Sequence, residues 1–424
     1  MPRLASVGAF LLTQICLLQL QSAEWTQFRG PEGNGHAVAT GIPLQWSDSL
    51  NVTWKQAIPG QGWSSPVVSD GTIYLTAAVP VDDHEGDFSL RLLSFSAKTG
   101  EQLNSVEIFY QEAANAPKIH SKNSHASPTP IIDGDRVYVH FGHQGTACVS
   151  REGKILWKTQ ELAYAPVHGN GGSPIIVDDL LIFSCDGAQD PFVVGIEKAT
   201  GKLRWKTPRK SDVSRKFSFT TPILIDVEGA RQLISPGSGE VSALDPQTGE
   251  ELWRVDYGDG YSVIPKPVFA NGLVFICTGY NRPNLLAIRP DGRGDVTETH
   301  VVWQTDRQAP HTPSLLVVGD ELYMVADKGV ASCLDTQTGK LYWEERLGGN
   351  YSASPLYVDG RIYFQSEDGD TTVIAPGREY HKLATSQLGE QTLASYGVVD
   401  NALLIRSEKH LYRIEAPLTS SAAR

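Results

Sequence analysis

The chain is poor in cysteine. It has five in 424 residues, and one of them, Cys16, lies in the opening apolar stretch. Cys148, Cys185, Cys277 and Cys333 stand alone: no two are adjacent and none form C-x-x-C. That excludes a vicinal disulfide and a dithiol redox motif. Each sits in a strand-like run with apolar neighbours, so small buried thiols are expected. An excess of basic residues is also lacking: 36 Lys and Arg stand against 48 Asp and Glu, a net charge of −12. An acidic chain repels phosphate backbones, so nucleic-acid binding is not expected. After residue 23 no apolar run is long enough to span a bilayer. Helical periodicity is almost missing.

What is present begins with an export signal. Arg3 supplies a positive start, and Val7 to Leu20 is apolar apart from Thr13, Gln14 and Gln19. Ala23 or Ser22 suits the cleavage site, so residues 1–23 read as a signal peptide, with a retained anchor as the alternative. Cys16 follows Thr-Gln-Ile, a poor lipidation box, and no lipoprotein is predicted. Arg3 is the only charged residue of the signal, so its removal takes the net charge from −12 to −13. The mature chain is expected in the periplasm or secreted, as a monomer. Residues 24–49 read as an extended N-terminal segment and 416–424 as a flexible tail.

The body of the chain repeats. GIEKATGKLRW (195–205) has near copies at 243–253 (ALDPQTGEELW) and 333–343 (CLDTQTGKLYW), and a looser one ends at Trp157. In all four a Gly stands four residues before a Trp. Thr-Gly supplies a tight turn in which Gly takes a positive φ, and the Trp follows on the next strand, its ring free to cover a neighbouring sheet. A second signal is a small or hydroxyl residue before a proline that opens an apolar run: Ser65-Pro66, Thr129-Pro130, Ser173-Pro174, Thr221-Pro222, Lys266-Pro267, Thr312-Pro313 and Ser354-Pro355. An eighth unit starts near Ser395-Tyr396. The first interval is long because residues 77–89 and 110–124 are insertions.

Each unit reads as four short strands in roughly 45 residues, the arithmetic of a propeller blade. Unit eight has strands at 395–399, 402–406 and 410–414 but no fourth. Residues 51–58, with Trp54, look like the missing strand. The spacing therefore predicts an all-β fold over 50–415: an eight-bladed β-propeller of four-stranded antiparallel blades, closed by its N-terminal strand, which hides edges that invite aggregation.

At these residues the chain resembles a known family. The pattern A-x-D-x-x-T-G-x-x-x-W is met in full by Ala243, Asp245, Thr248, Gly249 and Trp253, and by Asp335, Thr338, Gly339 and Trp343 with Cys333 at the first position. It is similar to the tryptophan-docking repeat of PQQ-type (pyrroloquinoline quinone) eight-bladed propellers. The opening WTQFRGPEGNG (25–35) also looks like the start of exported propellers of this class. The resemblance implies one of two branches. One holds periplasmic alcohol and sugar dehydrogenases, which carry the quinone with Ca²⁺ over the central channel. The other is non-catalytic and resembles the propeller subunit of the outer-membrane assembly machinery.

Strand counting assigns the faces. First-to-second and third-to-fourth turns are tight and share one face. Second-to-third loops and blade-to-blade links share the other, so a binding site is expected there, around the channel mouth. The links offer Trp63, His125, His168, Asn170, Lys216, Tyr261, Lys266, His311 and Tyr351; the loops offer Asp186, Asp190, Tyr280 and Arg282. His125, His168 and His311 share a rim, but hydrogen-bonded lining is expected there rather than a metal site. For a quinone, Trp63 or Tyr351 could stack, Lys216, Lys266 or Arg282 could pair with carboxylates, and Asp186 or Asp190 could ligate Ca²⁺. None lies in a motif matching the dehydrogenase branch. A third reading, hydrolysis or elimination on envelope polysaccharide, would use Asp186, Asp190, Glu367 and Asp368. The favoured expectation is an exported, non-catalytic scaffold that binds protein, peptide or glycan without a cofactor, with a PQQ-dependent dehydrogenase as the alternative.

Overall fold

The computed structural model describes residues 24–417; the predicted signal peptide 1–23 and the end of the tail, 418–424, lie outside the described residues. Eight antiparallel sheets follow one another along the chain. Blade 3 shows the plan: strands at Ile175–Val177, Leu180–Cys185, Phe192–Glu197 and Leu203–Pro208. The first strand of each blade is innermost. Val67–Ser69 of blade 1 lies beside Ile131–Asp133 of blade 2 and Gly397–Val399 of blade 8, which closes the circle around a channel. Val52–Ala57 is the outermost strand of blade 8. It runs antiparallel to His410–Glu415, with Trp54 opposite Arg413. The ring is an eight-bladed β-propeller, fastened by its own N-terminal strand.

The Gly and Trp of one repeat do not touch. Gly201, Gly249 and Gly339, like Gly100 of blade 1, receive the Trp of the blade before, whereas Gly153 meets Asn104 and Val106. A Cβ at Gly249 would stand 2.5 Å from the Trp205 ring, at Gly201 2.6 Å from Trp157, at Gly339 2.7 Å from Trp303, and at Gly100 2.7 Å from Trp54. The turn fixes a positive φ (73° at Gly249), so glycine answers two demands at once. The indole N–H then donates to a carbonyl of the same turn, as Trp205 does to Pro246 at 3.1 Å and Trp54 to Ala97 at 3.1 Å. A bulge precedes these tryptophans, as between Leu203 and Trp205, and re-aims the side chain. Leu156 and Val302 are such bulge residues, which is why these apolar side chains face solvent.

Two blades carry a fifth, parallel strand that the sequence did not suggest. Gly294–Asp295 pairs with the outer edge of blade 4. This insertion covers Trp253, which donates to Gln232 Oε1 at 2.7 Å, and Gln232 passes the contact on to the Pro290 carbonyl. His36–Ala37 pairs with Leu356–Val358, the innermost strand of blade 7. The insertion at 77–89 is a lengthening of the blade 1 hairpin, Thr72–Val81 with His84–Ser96. All four cysteines in the described residues are buried and unpaired.

Candidate functional site

The N-terminal segment runs into the channel. Trp25 exchanges backbone hydrogen bonds with Val68 of blade 1, the Thr26 carbonyl accepts from Ile132 of blade 2, and the Gly35 carbonyl accepts from Tyr357 of blade 7. Arg29 donates to the Leu315 carbonyl of blade 6 at 2.6 Å, and the His36 ring meets Val317 O at 2.7 Å. Residues 25–37 thus plug the channel by main-chain contacts with blades 1, 2 and 7 and by side-chain contacts with blade 6. Arg29 is 2 % exposed, and its Nε and Nη1 have no partner. Burial brings its pKa down to about 9. Lys266 is also 2 % exposed, with its ammonium against Gly33 and 6.0 Å from the centre of the Phe28 ring. Burial, then the Arg29 charge, lowers it to about 7. No carboxylate faces either cation closely enough to form an ion pair among the described residues.

Above the plug lies a belt of hydroxyls. The Ser65 N–H donates to Thr129 Oγ1, Thr129 to Ser173, Ser173 to Thr221, Lys266 to Ser314, Ser314 to Ser354, Ser354 to Ser395 and Ser395 back to Ser65, at 2.9–3.2 Å. Seven blades contribute a hydroxyl and blade 5 contributes Lys266. In blade 6 the belt residue is Ser314, not the Thr312 of the expected Thr312-Pro313 pair: the innermost strand starts two residues later, at Leu316. The repeated Ser/Thr before proline is therefore a ring of blade-to-blade staples.

The belt is the floor of a funnel of about 360 Å³ at the channel mouth. Its wall is aromatic. Successive ring centroids are 5.6 Å apart for His120 and His168, 5.4 Å for His168 and Phe217, 5.5 Å for Phe217 and Tyr261, 6.2 Å for Tyr261 and Tyr280, and 4.2 Å for Tyr280 and His311. Arg215 hydrogen-bonds the Tyr261 hydroxyl and lies over its ring. The insertion at 110–124 crosses the mouth as a strap: Ile119 pairs with His168, and the Lys122 ammonium reaches Glu367 of blade 7 at 2.5 Å. Among the described residues no Asp or Glu lines the funnel. Asp327 and Glu367 stand behind the wall. Burial opposes the charge of Asp327, but hydrogen bonds from His311 and Thr312 outweigh it and hold the carboxyl below the usual range.

The site residues expected from sequence divide. Trp63, His168, Tyr261 and Tyr280 line the funnel. His311 sits behind Tyr280, its Nδ1 3.5 Å from Asp327. His125 packs on Phe88, 5.0 Å between centroids, away from the lining. Asn170 is buried in the next layer, where it accepts from the Tyr164 hydroxyl at 2.5 Å. Asp186 is buried in a two-pronged pair with Arg209, at 2.8 and 3.1 Å. Burial works against the Arg209 charge, yet Asp186 outweighs it and holds the guanidinium above its ordinary value. Tyr351 is 1 % exposed and belongs to the core between blades 6 and 7, so it presents no ring for stacking. Asp190, Lys216, Lys266 and Arg282 are not part of the lining. Sequence reading passed over Phe28, His120, Lys122, Phe217, Phe219 and the hydroxyl belt as site residues. Only the belt left a signal, its regular place before each opening strand.

The funnel suits a quinone with Ca²⁺ poorly. Its lining supplies no carboxylate for the metal, Asp186 is already committed to Arg209, and Tyr351 cannot stack. Among the described residues no three His, Cys, Asp or Glu side chains gather as a metal site.

Comparison with known proteins agrees with the ring. The chain is 27% identical over 205 residues to the outer membrane protein assembly factor BamB of Legionella pneumophila, an alignment covering 46% of this chain and 48% of that protein. The chain thus spans about half the length of the curated relatives it matches. The crystal structure of BamB from Moraxella catarrhalis superposes with a TM-score of 0.61 at 13% identity, over 87% of this chain and 98% of that one. The quinohemoprotein alcohol dehydrogenase of Comamonas testosteroni superposes at 0.51, also at 13% identity, over 95% and 81%. At such identities both likenesses concern the fold alone. The PQQ_2 family model, described as outer membrane protein assembly factor BamB, matches residues 46–184, 111–219, 237–293 and 293–378, and the chain belongs to that family.

Proposed function

We propose that this protein is an envelope scaffold without catalytic activity of its own, and that its funnel holds a segment of a partner polypeptide. The observation that carries the reading is the funnel itself, with its arc of rings from His120 to Tyr280 over a hydroxyl floor. Aromatic side chains give large contact area at little entropic cost, and hydroxyls match main-chain amides. Membership of a family named for outer-membrane assembly supports an envelope setting, as does the predicted export signal.

A photo-crosslinking residue placed at Tyr280, in the funnel, should capture a defined envelope polypeptide in the native cell. The same probe at Leu103, exposed on an outer strand, should not. Equal adducts at both positions, or none at Tyr280, would remove the reading. Retention of quinone after gel filtration of protein reconstituted with PQQ and Ca²⁺ would favour the dehydrogenase alternative instead.

A further inference from the structure

The floor of the funnel offers hydrogen-bond donors over two buried cations, and among the described residues no carboxylate pairs with either cation. Each of the seven belt hydroxyls accepts a backbone N–H from the preceding blade, and among the described residues none passes its own hydrogen to a protein acceptor. All seven line the funnel. Lys266 interrupts the belt. It has no hydroxyl to offer the Thr221 N–H, so the Thr221–Lys266–Ser314 arc is richest in free donors. Beneath this arc lie the Lys266 ammonium and the Arg29 guanidinium. Arg29 is fixed to the carbonyl of Leu315, the residue after Ser314, and two of its nitrogens are buried without a partner. Buried cations without counter-charge are costly and are normally paired. Neither cation lines the funnel, but in a chain with a net charge of −12 two buried cations directly under a lining that holds no acidic side chain among the described residues are a local reversal of sign.

We infer that the floor of the funnel, on the Thr221–Lys266–Ser314 arc, is a binding site for an oxyanion, the carboxylate or phosphate group of a ligand. The inference rests on the funnel being a binding site but not on the partner being a polypeptide. The hydroxyls and the Thr221 N–H make the direct hydrogen bonds, and Lys266 and Arg29 supply the charge. Phe28, at the tip of the plug, bounds the site from below.

The test uses the mature protein in a low-salt buffer and follows the melting temperature as inorganic phosphate or acetate is added, with sodium chloride of equal ionic strength as reference. Wild type should gain several degrees with at least one of the two oxyanions beyond the chloride reference. Lys266→Met should lose that gain, with apparent affinity at least tenfold weaker. Lys340→Met, an equal charge change at an exposed position, should keep it. Thr221→Val keeps the shape but removes one donor, together with the acceptor of the Ser173 N–H, and should weaken binding several-fold, which keeps the test open if Lys266→Met folds poorly. A response to phosphate alone points to a phosphorylated ligand, and one to acetate alone to a carboxylate. No gain beyond chloride in wild type, or an undiminished gain in both Lys266→Met and Thr221→Val, overturns the inference. If crosslinking from Tyr280 still succeeds in that event, the scaffold reading stands without the oxyanion site.

Discussion

Replacing Gly249 by alanine should destabilise the ring more than the same change at Gly360, although the two backbones are nearly alike. Their φ angles are 73° and 71°. The cost of placing a Cβ in the left-handed region, about 1 kcal/mol, is therefore shared. They differ in what the new methyl meets. At Gly360 nothing lies within 4 Å. At Gly249 the methyl would stand 2.5 Å from Trp205 Cε3 and 2.6 Å from Thr207 Oγ1. Trp205 is 7 % exposed and its N–H is bonded to Pro246, so the indole cannot step aside without giving up both burial and that bond. Overpacking of this kind costs about 1–3 kcal/mol, with about 3–5 kcal/mol as the limit if the ring is expelled altogether. Gly249→Ala should thus fall below Gly360→Ala by about 1–3 kcal/mol in guanidinium unfolding followed by circular dichroism, analysed with a common slope. Indole fluorescence should report a more solvated tryptophan only in Gly249→Ala. Midpoints for the two variants that coincide would show that the glycine serves the turn alone and that docking of neighbouring blades is not what holds it.

Other outcomes follow from buried charge and from the ends of the chain. Lys266 titrates near 7 in the fold against about 10.5 in the unfolded chain. Between those values the unfolded chain holds a proton the fold has shed, so stability rises with pH across that window, and the charge-burial penalty is fully present below about pH 7. In buffer free of oxyanions Lys266→Met should flatten that rise and stabilise the protein at neutral pH by an amount on the order of a few kcal/mol; an unchanged pH profile of the melting temperature would argue against a desolvated lysine. Asp186→Asn strands the buried Arg209 charge and should cost about 3–5 kcal/mol, whereas Asp178→Asn, in the exposed pair with Arg231, should cost less than about 1 kcal/mol. Removal of residues 24–57 exposes the His410–Glu415 edge and should bring aggregation or a broadened melt, to be read by light scattering and calorimetry; a single sharp transition at the wild-type temperature would contradict the closure.

The blades were legible because their signals are local. Thr-Gly turns, proline-opened apolar runs and a tryptophan at constant offset repeat with the blade, and the count of strands assigned the loop face on which the funnel lies. The orphan strand with Trp54 was legible because unit eight lacked a fourth. The plug was not, since residues 25–37 carry no alternation and are held through backbone atoms by blades far away in sequence. Tyr351 was misjudged because a link residue was assumed to face solvent, whereas its backbone bridges to Ser366 and turns the ring inward. Asp186 was visible as a carboxylate, but the Arg209 that neutralises it comes from after the fourth strand of the same blade, a partnership that only the folded sheet creates. The strap residues His120 and Lys122 sat in an insertion, where spacing carries no information about direction.

The plug and the fastening strand have a consequence for biosynthesis. Residues 25–37 find their partners in blades 1, 2, 6 and 7, and residues 52–57 wait for 410–415. A polypeptide released before the last blade would keep every partner of the plug but would have no sealed circumference. Its belt would lack Ser395, and its first translated strands would remain sticky. Closure of the ring thereby waits for the last strand of the chain, and until then an unpaired edge stays open to association with other chains.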